Sequence, residues 1–174
     1  MSHQDENLDN LWEGLGVLIM PPVHIPSRPR ANLMAHLTGE APFVGFALRL
    51  ARLFQIDEEE AAHLLGKLGM QPSWEPFLPV ASLLHVTPGP ALRRLGVDAG
   101  FIRFEGGTTF PEHLHGGEER TLVLQGGFLD LLSGRHLLPG DTLVLPAGSS
   151  HRFRIDPGEP CISAVLLLGP ISFT

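Results

Sequence analysis

The chain has 174 residues, 43% of them hydrophobic, enough to bury the core of one medium domain or of a small domain with an appendage. A formal net charge of −7, with Lys67 the only lysine, excludes nucleic acid as a partner, because phosphate binding needs a basic surface. The longest apolar runs, Gly16 to Met20 and Ile162 to Leu168, are too short to span a bilayer, which excludes a membrane-spanning helix.

The first part of the chain reads as helix. Leu8, Leu11, Trp12, Leu15 and Leu18 recur at helical spacing until Pro21-Pro22 stops the run. The proline-rich stretch PPVHIPSRP follows, and a second short helix starting near Pro29 carries Leu33, Met34 and Leu37. Phe43, Phe46, Ala47, Leu50 and Phe54 form a further apolar stripe. Asp57 with Glu60 reads as an N-cap and capping box for a helix holding Ala61, Leu64, Leu65 and Leu68. The pair of helices over roughly 44–54 and 58–68 has the outline of a DNA-reading helix-turn-helix. Its second helix opens on Asp57-Glu58-Glu59-Glu60, which phosphates would repel, so the pair is read as a packing or dimerisation element.

The pattern changes near residue 70. From about Ala81 onward, short apolar or alternating runs (ASLLHV, GFIRF, RTLVLQ, FLDLL, DTLVLP, HRFRI, CISAVLLL) are separated by Pro-Gly, Gly-Gly and Ser-Gly turns. That spacing predicts a mainly β domain, a small sandwich or barrel, over residues 71–174, preceded by a helical segment with a Pro-rich linker over residues 1–70. Cys161 lies in the last of these runs and is expected to be a packed, inert thiol. A lone cysteine and a polar start, MSHQDEN, with no basic and apolar leader, predict a protein of the reducing cytoplasm.

Two segments carry the chemistry. In PEHLHGGEER, residues two apart on an extended strand face the same way, so His113 and His115 present both imidazoles to one side. Gly116-Gly117 allow a bend that turns Glu119 back to the same centre, and His151, at the start of the strand HRFRI, comes from elsewhere in the sheet. Three neutral imidazoles and a carboxylate suit a borderline divalent ion. Glu118, next to Glu119, is expected to be a solvated group or an outer partner of the site, not a ligand. If His151 faces the metal, Phe153 also faces inward, while Arg152 and Arg154 face outward. Arg103 is a second pocket candidate, able to anchor a carboxylate, but its strand phase is open between Phe101/Arg103 and Ile102/Phe104.

The glycines and prolines around these residues complete a longer pattern. It runs Gly107, His113-X-His115, Glu119 and Gly126, and then Gly140, Pro146-X-Gly148 and His151. This pattern resembles the two cupin motifs, although Ile155 stands where many cupins have an asparagine. The resemblance implies a double-stranded β-helix, or jelly-roll, barrel holding one divalent metal per chain on His113, His115, Glu119 and His151. Zinc is the first expectation, with iron, manganese or nickel as alternatives. It also implies a homodimer.

PEHLHGGEERTLVLQGGFLD, LARLFQIDEEEAAHLLGKLG and PPVHIPSRPRANLMAHL further resemble the cupin and linker portions of ChrR-type anti-sigma factors. In that family a cupin senses a signal and an N-terminal zinc module with a Cys-X-X-Cys pair holds a sigma factor inactive. No cysteine precedes Cys161 here, and His3, His24 and His36 lack thiolate partners. The few residues ahead of Leu8 are expected to leave no room for the module. The resemblance therefore implies a non-catalytic metal-loaded sensor or ligand-binding protein, with a sigma factor or other regulatory protein, or a small molecule, as partner. The alternative is a small metal-dependent cupin dioxygenase acting on a chelating substrate, so catalysis stays an open question at this point.

Overall fold

In a computed structural model, residues 42–70, 72 and 74–173 are described. The helices expected around Leu8 to Leu18 and Leu33 to Leu37, and His3, His24 and His36, lie outside the described residues. A short 3-10 turn, Val44–Phe46, leads into α1 (Ala47–Phe54), and α2 follows at Glu58–Gly69. Asp57 caps α2: its carboxylate accepts the Glu60 backbone N–H at 2.7 Å, and Glu58, Glu59 and Glu60 sit in the first turn, where the helix dipole favours negative charge. No described helix is long and apolar enough to cross a membrane.

The rest is mainly strand: β1 (Glu75–Leu78), β2 (Ala81–His85), a one-turn helix α3 (Pro90–Arg93), β3 (Asp98–Phe104), β4 (Thr109–His115), β5 (Glu119–Gln125), β6 (Phe128–Asp130), β7 (His136–Leu137), β8 (Thr142–Leu145), β9 (Ser150–Ile155), β10 (Cys161–Leu167) and β11 (Ile171–Phe173). They form two antiparallel sheets. The larger has the order β1-β2-β3-β10-β5-β8 and the smaller β11-β4-β9-β6-β7. Strands far apart in sequence lie side by side, as in a jelly roll.

Alternation along the strands separates two cores. Phe104, Phe110, Val123, Phe128, Phe153 and Ile155 point between the sheets and fill the barrel. On the outer face of the larger sheet, Phe101, Leu122, Leu124, Ala164 and Leu166 meet the apolar stripes of α1 and α2, including Leu50, Phe54, Ala61 and Leu65. Phe54 meets Phe101 edge-on at 6.0 Å between ring centroids. β3 is thus buried on both faces, with Ile102 and Phe104 toward the barrel and Phe101 toward the helices. Burial on both faces is the physical reason that its apolar run gave no phase. Gly126 adopts a left-handed φ of 65°, and a Cβ there would come within 3.0 Å of the Cys161 backbone, so the β5–β6 turn requires glycine.

Candidate metal centre

β4 carries two of the four residues because of a bulge. Phe110 pairs with Phe153 and His113 with His151, so β4 spends three residues where β9 spends two. The extra residue falls at Pro111-Glu112, where proline has no N–H to give the ladder. As a result Phe110, His113 and His115 all point inward, and the two histidines are 2% and 1% exposed. Beyond them, a Cβ on Gly117 would lie 2.4 Å from the Leu168 carbonyl carbon. This glycine is needed because β4 and β5 join tightly against the β10–β11 turn, and the bend delivers Glu119 into the space between the sheets.

The donor atoms converge. Each of His113, His115, Glu119 and His151 is buried, and one ligand atom from each lies within 4.8 Å of all the others. Nδ1 of His113 is 3.0 Å from the Pro111 carbonyl oxygen, and Nδ1 of His115 is 3.1 Å from that of Ser149. A carbonyl only accepts, so both Nδ1 atoms carry protons and, in the neutral rings, both Nε2 atoms turn lone pairs inward. Nε2 of His151 approaches Nε2 of His113 to 3.0 Å, and Nδ1 of His151 faces Oδ2 of Asp130 at 3.7 Å. A proton on Nε2 of His151 could be donated to His113 across that distance, and with both Nε2 lone pairs free the two nitrogens could share one cation. Nε2 of His115 and Oε2 of Glu119 come within 3.0 Å without hydrogen-bond alignment, leaving this nitrogen without a protein partner. Buried and gathered within 4.8 Å, with Nε2 of His115 making no hydrogen bond, these donors fit one metal ion.

The surroundings orient the set. Thr121 donates to Oε1 of Glu119 at 2.8 Å, leaving Oε2 toward His115. Asp130 is itself fixed by the backbone N–H groups of Leu132 and Ser133, at 2.9 and 3.1 Å. Such outer partners set ring orientation and ligand basicity. Burial holds His113 below the usual imidazole value and lowers His151 to about 4. For His115 burial acts the same way, but the approach of Glu119 and the Ser149 carbonyl outweigh it and raise its pKa. Burial alone would raise Glu119; the close His115 nitrogen, the nearby His151 and the Thr121 hydroxyl outweigh it and hold the carboxylate low. Among the three imidazoles His115 is thus the one that most readily takes a proton in the metal-free protein, and an entering ion would displace it.

Beside this cluster lies a cavity of about 490 Å³, lined by His113, Glu119, His151 and Phe153 among others. Arg103 does not line it; its guanidinium pairs with Glu105. Arg152 and Arg154 are exposed, and Glu118 bonds Arg120 at 2.6 Å instead of entering the site. Ile155 packs into the barrel core. The Cys161 thiol is fully buried, and burial pushes it up to about 12, so it stays protonated. Asp130 and Thr121 went unnoticed in the sequence. Thr121, two residues after Glu119, shares its face and was open to the same alternation argument. Asp130 reaches His151 only through the β6–β9 pairing, which no local pattern encodes.

Residues 100–166 match the family model described as the cupin domain. The barrel has the cupin fold. No curated protein matches the chain in sequence. Among solved structures, the complex of Rhodobacter sphaeroides SigE with the anti-sigma ChrR is similar over 91% of this chain and 75% of that chain, with 21% identity and a TM-score of 0.53. A Ralstonia eutropha protein of unknown function with a cupin-like fold aligns over 55% of this chain and 59% of that one, at 19% identity and a TM-score of 0.46. An acetylacetone dioxygenase from Acinetobacter johnsonii aligns over 59% of this chain and 74% of that one, at 15% identity and a TM-score of 0.49. At these identities the likenesses concern the fold alone.

Proposed function

We propose that this chain is a metal-binding cupin acting as a non-catalytic sensor or ligand-binding protein, with His113, His115, Glu119 and His151 as the ligands of one divalent ion. The observation that carries this reading is the convergence of four buried donors within 4.8 Å, with Nε2 of His115 and Nδ1 of His151 making no hydrogen bond. Zinc is the first expectation, since three nitrogens and one carboxylate oxygen suit a borderline ion, and iron, manganese or nickel are the alternatives. Residues 71–174 are the metal-binding barrel in this reading, and α1 and α2, within residues 1–70, are the elements that would couple the barrel to a partner.

The regulatory side of the proposal draws on the fold shared with the ChrR structure, which was solved with SigE bound. A sigma factor or another regulatory protein is the corresponding partner for this chain, a homodimer the expected assembly, and the cytoplasm its compartment. The cavity, which reaches His113, Glu119 and His151 from one side, favours a second reading. A small chelating molecule entering there would meet the metal, as a cupin dioxygenase requires; the bound ion would then supply Lewis acidity and redox chemistry. Phe153 lines that approach. Arg103, engaged with Glu105, is retained as a pocket candidate only if that pair opens.

Elemental analysis of protein purified without chelator or affinity-tag metal tests the proposal, run beside a variant carrying His113→Ala and His115→Ala. Near-stoichiometric zinc that disappears in the variant is the expected result. Iron or manganese at that level, with oxygen uptake in the presence of chelating substrates, would replace the sensor with the oxygenase. Equal and negligible metal in both proteins would end both readings.

A further inference from the structure

The wall of the cavity is chemically lopsided. At its inner end stand His113, Glu119 and His151; next to them Phe104, Phe110 and Phe153 form an aromatic surface in which the Phe110 and Phe153 rings stack at 5.1 Å. Toward the outside, the half-buried Val165 of β10 and Ile171 of β11 continue the apolar lining from the two sheets. The two hydroxyls within reach have other neighbours: Thr121 donates to Glu119, and Ser163 lies 3.8 Å from the Cys161 sulfur.

Charge is more telling still. Among the described residues that line the cavity, none is a lysine or arginine; the acidic groups are Glu119 at the inner end and the exposed Asp98 at the mouth, and beyond the metal-site histidines the one further histidine is the exposed His85. Away from the metal end, an anionic group on the body of a ligand would leave water for a phenylalanine wall with no lysine or arginine to meet it. Such a transfer is unfavourable without a partner. The volume, about 490 Å³, lies within the roughly 300–1,000 Å³ of ordinary small-molecule sites.

We infer that the cavity takes a predominantly apolar, ring-sized molecule with one oxygen-donor head for the metal end and no anionic group on its body. A dicarboxylic acid, with a second anionic group to place on that wall, is thereby excluded. The head group of this ligand rests on the metal site proposed above; the selection of its body rests on the wall alone.

A matched pair of probes separates the two. Benzoylacetone and its para-carboxylate share one β-diketone head and differ only in a charge on the ring. Titration calorimetry of each into wild-type protein, with metal content counted on the same samples, should show benzoylacetone binding at least ~10-fold tighter. Val165→Trp or Ile171→Trp, which fill the cavity from opposite sheets, should abolish that binding at unchanged metal content, and Val165→Arg should turn the preference toward the carboxylate. Equal affinities, or a preference for the carboxylate in the wild type at full metal content, overturn the inference and leave the metal site standing. A protein without metal that keeps the preference would remove the proposed function and keep the inference. Neither metal nor preference would remove both.

Discussion

The six-stranded sheet serves two different neighbours through its two faces. Its outer face is closed by α1 and α2 over leucines, alanines and the Phe54–Phe101 pair, with Leu50, Phe54, Ala61 and Leu65 each 0% exposed. Its inner face contributes Glu119 and Thr121 to a polar cluster and leaves a cavity of about 490 Å³ beside it. The same strands supply both, by alternation: in β5, Leu122 and Leu124 go to the helices while Glu119, Thr121 and Val123 go to the barrel. Stability is thus concentrated on one face and chemistry on the other. A packed helix layer holds the sheet while buried polar groups, each unfavourable without a partner, are gathered where an ion can satisfy them.

The sharpest way to break this division is to open the helix side. Phe54→Ala removes a fully buried ring and should cost about 3–5 kcal/mol of unfolding free energy, measured by denaturant titration. The four donors should still bind metal in the fraction that remains folded. Loss of metal binding in proportion greater than the loss of folded protein would mean that the two faces are not independent.

The comparison can also be tested from the inner face. Glu119→Ala deletes one donor and should weaken metal binding by more than ~100-fold, beyond what changes to outer partners usually produce. Glu118→Ala, removing a carboxylate paired with Arg120 at the surface, should leave affinity and stability nearly unchanged. Competition with a chromophoric chelator reads both. Equal losses would mean that the adjacent glutamates exchange roles.

The two faces also differ in how much of each was visible in the sequence. The helix caps and stripes over 43–68 were plain because one-sided burial produces a period, and Asp57 announces the start of α2. The strands of the barrel were plain from their turns, but β1, β7 and β11 were not: Pro76 weakens the first as a strand signal, β7 has two residues, and β11 has three. At the site, His113 and His115 declared a shared face through their spacing. What their strand hides is the bulge at Pro111-Glu112, which places Phe110 on that same face three residues before His113. The phase of β3 could not be read because both its faces are buried, and Asp130 could not be found because β6 and β9 meet only in the folded sheet.

The smallest effect should come from protons. In the unfolded chain His113 and His151 titrate near 6.5, whereas burial lowers both in the folded barrel, His151 to about 4. Between those values the unfolded state binds more protons than the folded one, so acid favours unfolding. The stability contributed by keeping these rings neutral is complete above 6.5 and is lost as pH falls toward about 4. His115 works in the opposite direction, since its folded pKa is raised and its contribution is lost as pH climbs through that value. His151, lowered to about 4, is displaced furthest and sets the sign: the stability of the metal-free protein should fall from pH 7 to 4.5. Denaturation midpoints across that range measure it, and His151→Gln should flatten the slope. A midpoint that holds or rises as pH drops would show that the His115–Glu119 pair, not the burial of the other two rings, governs the proton balance of the site.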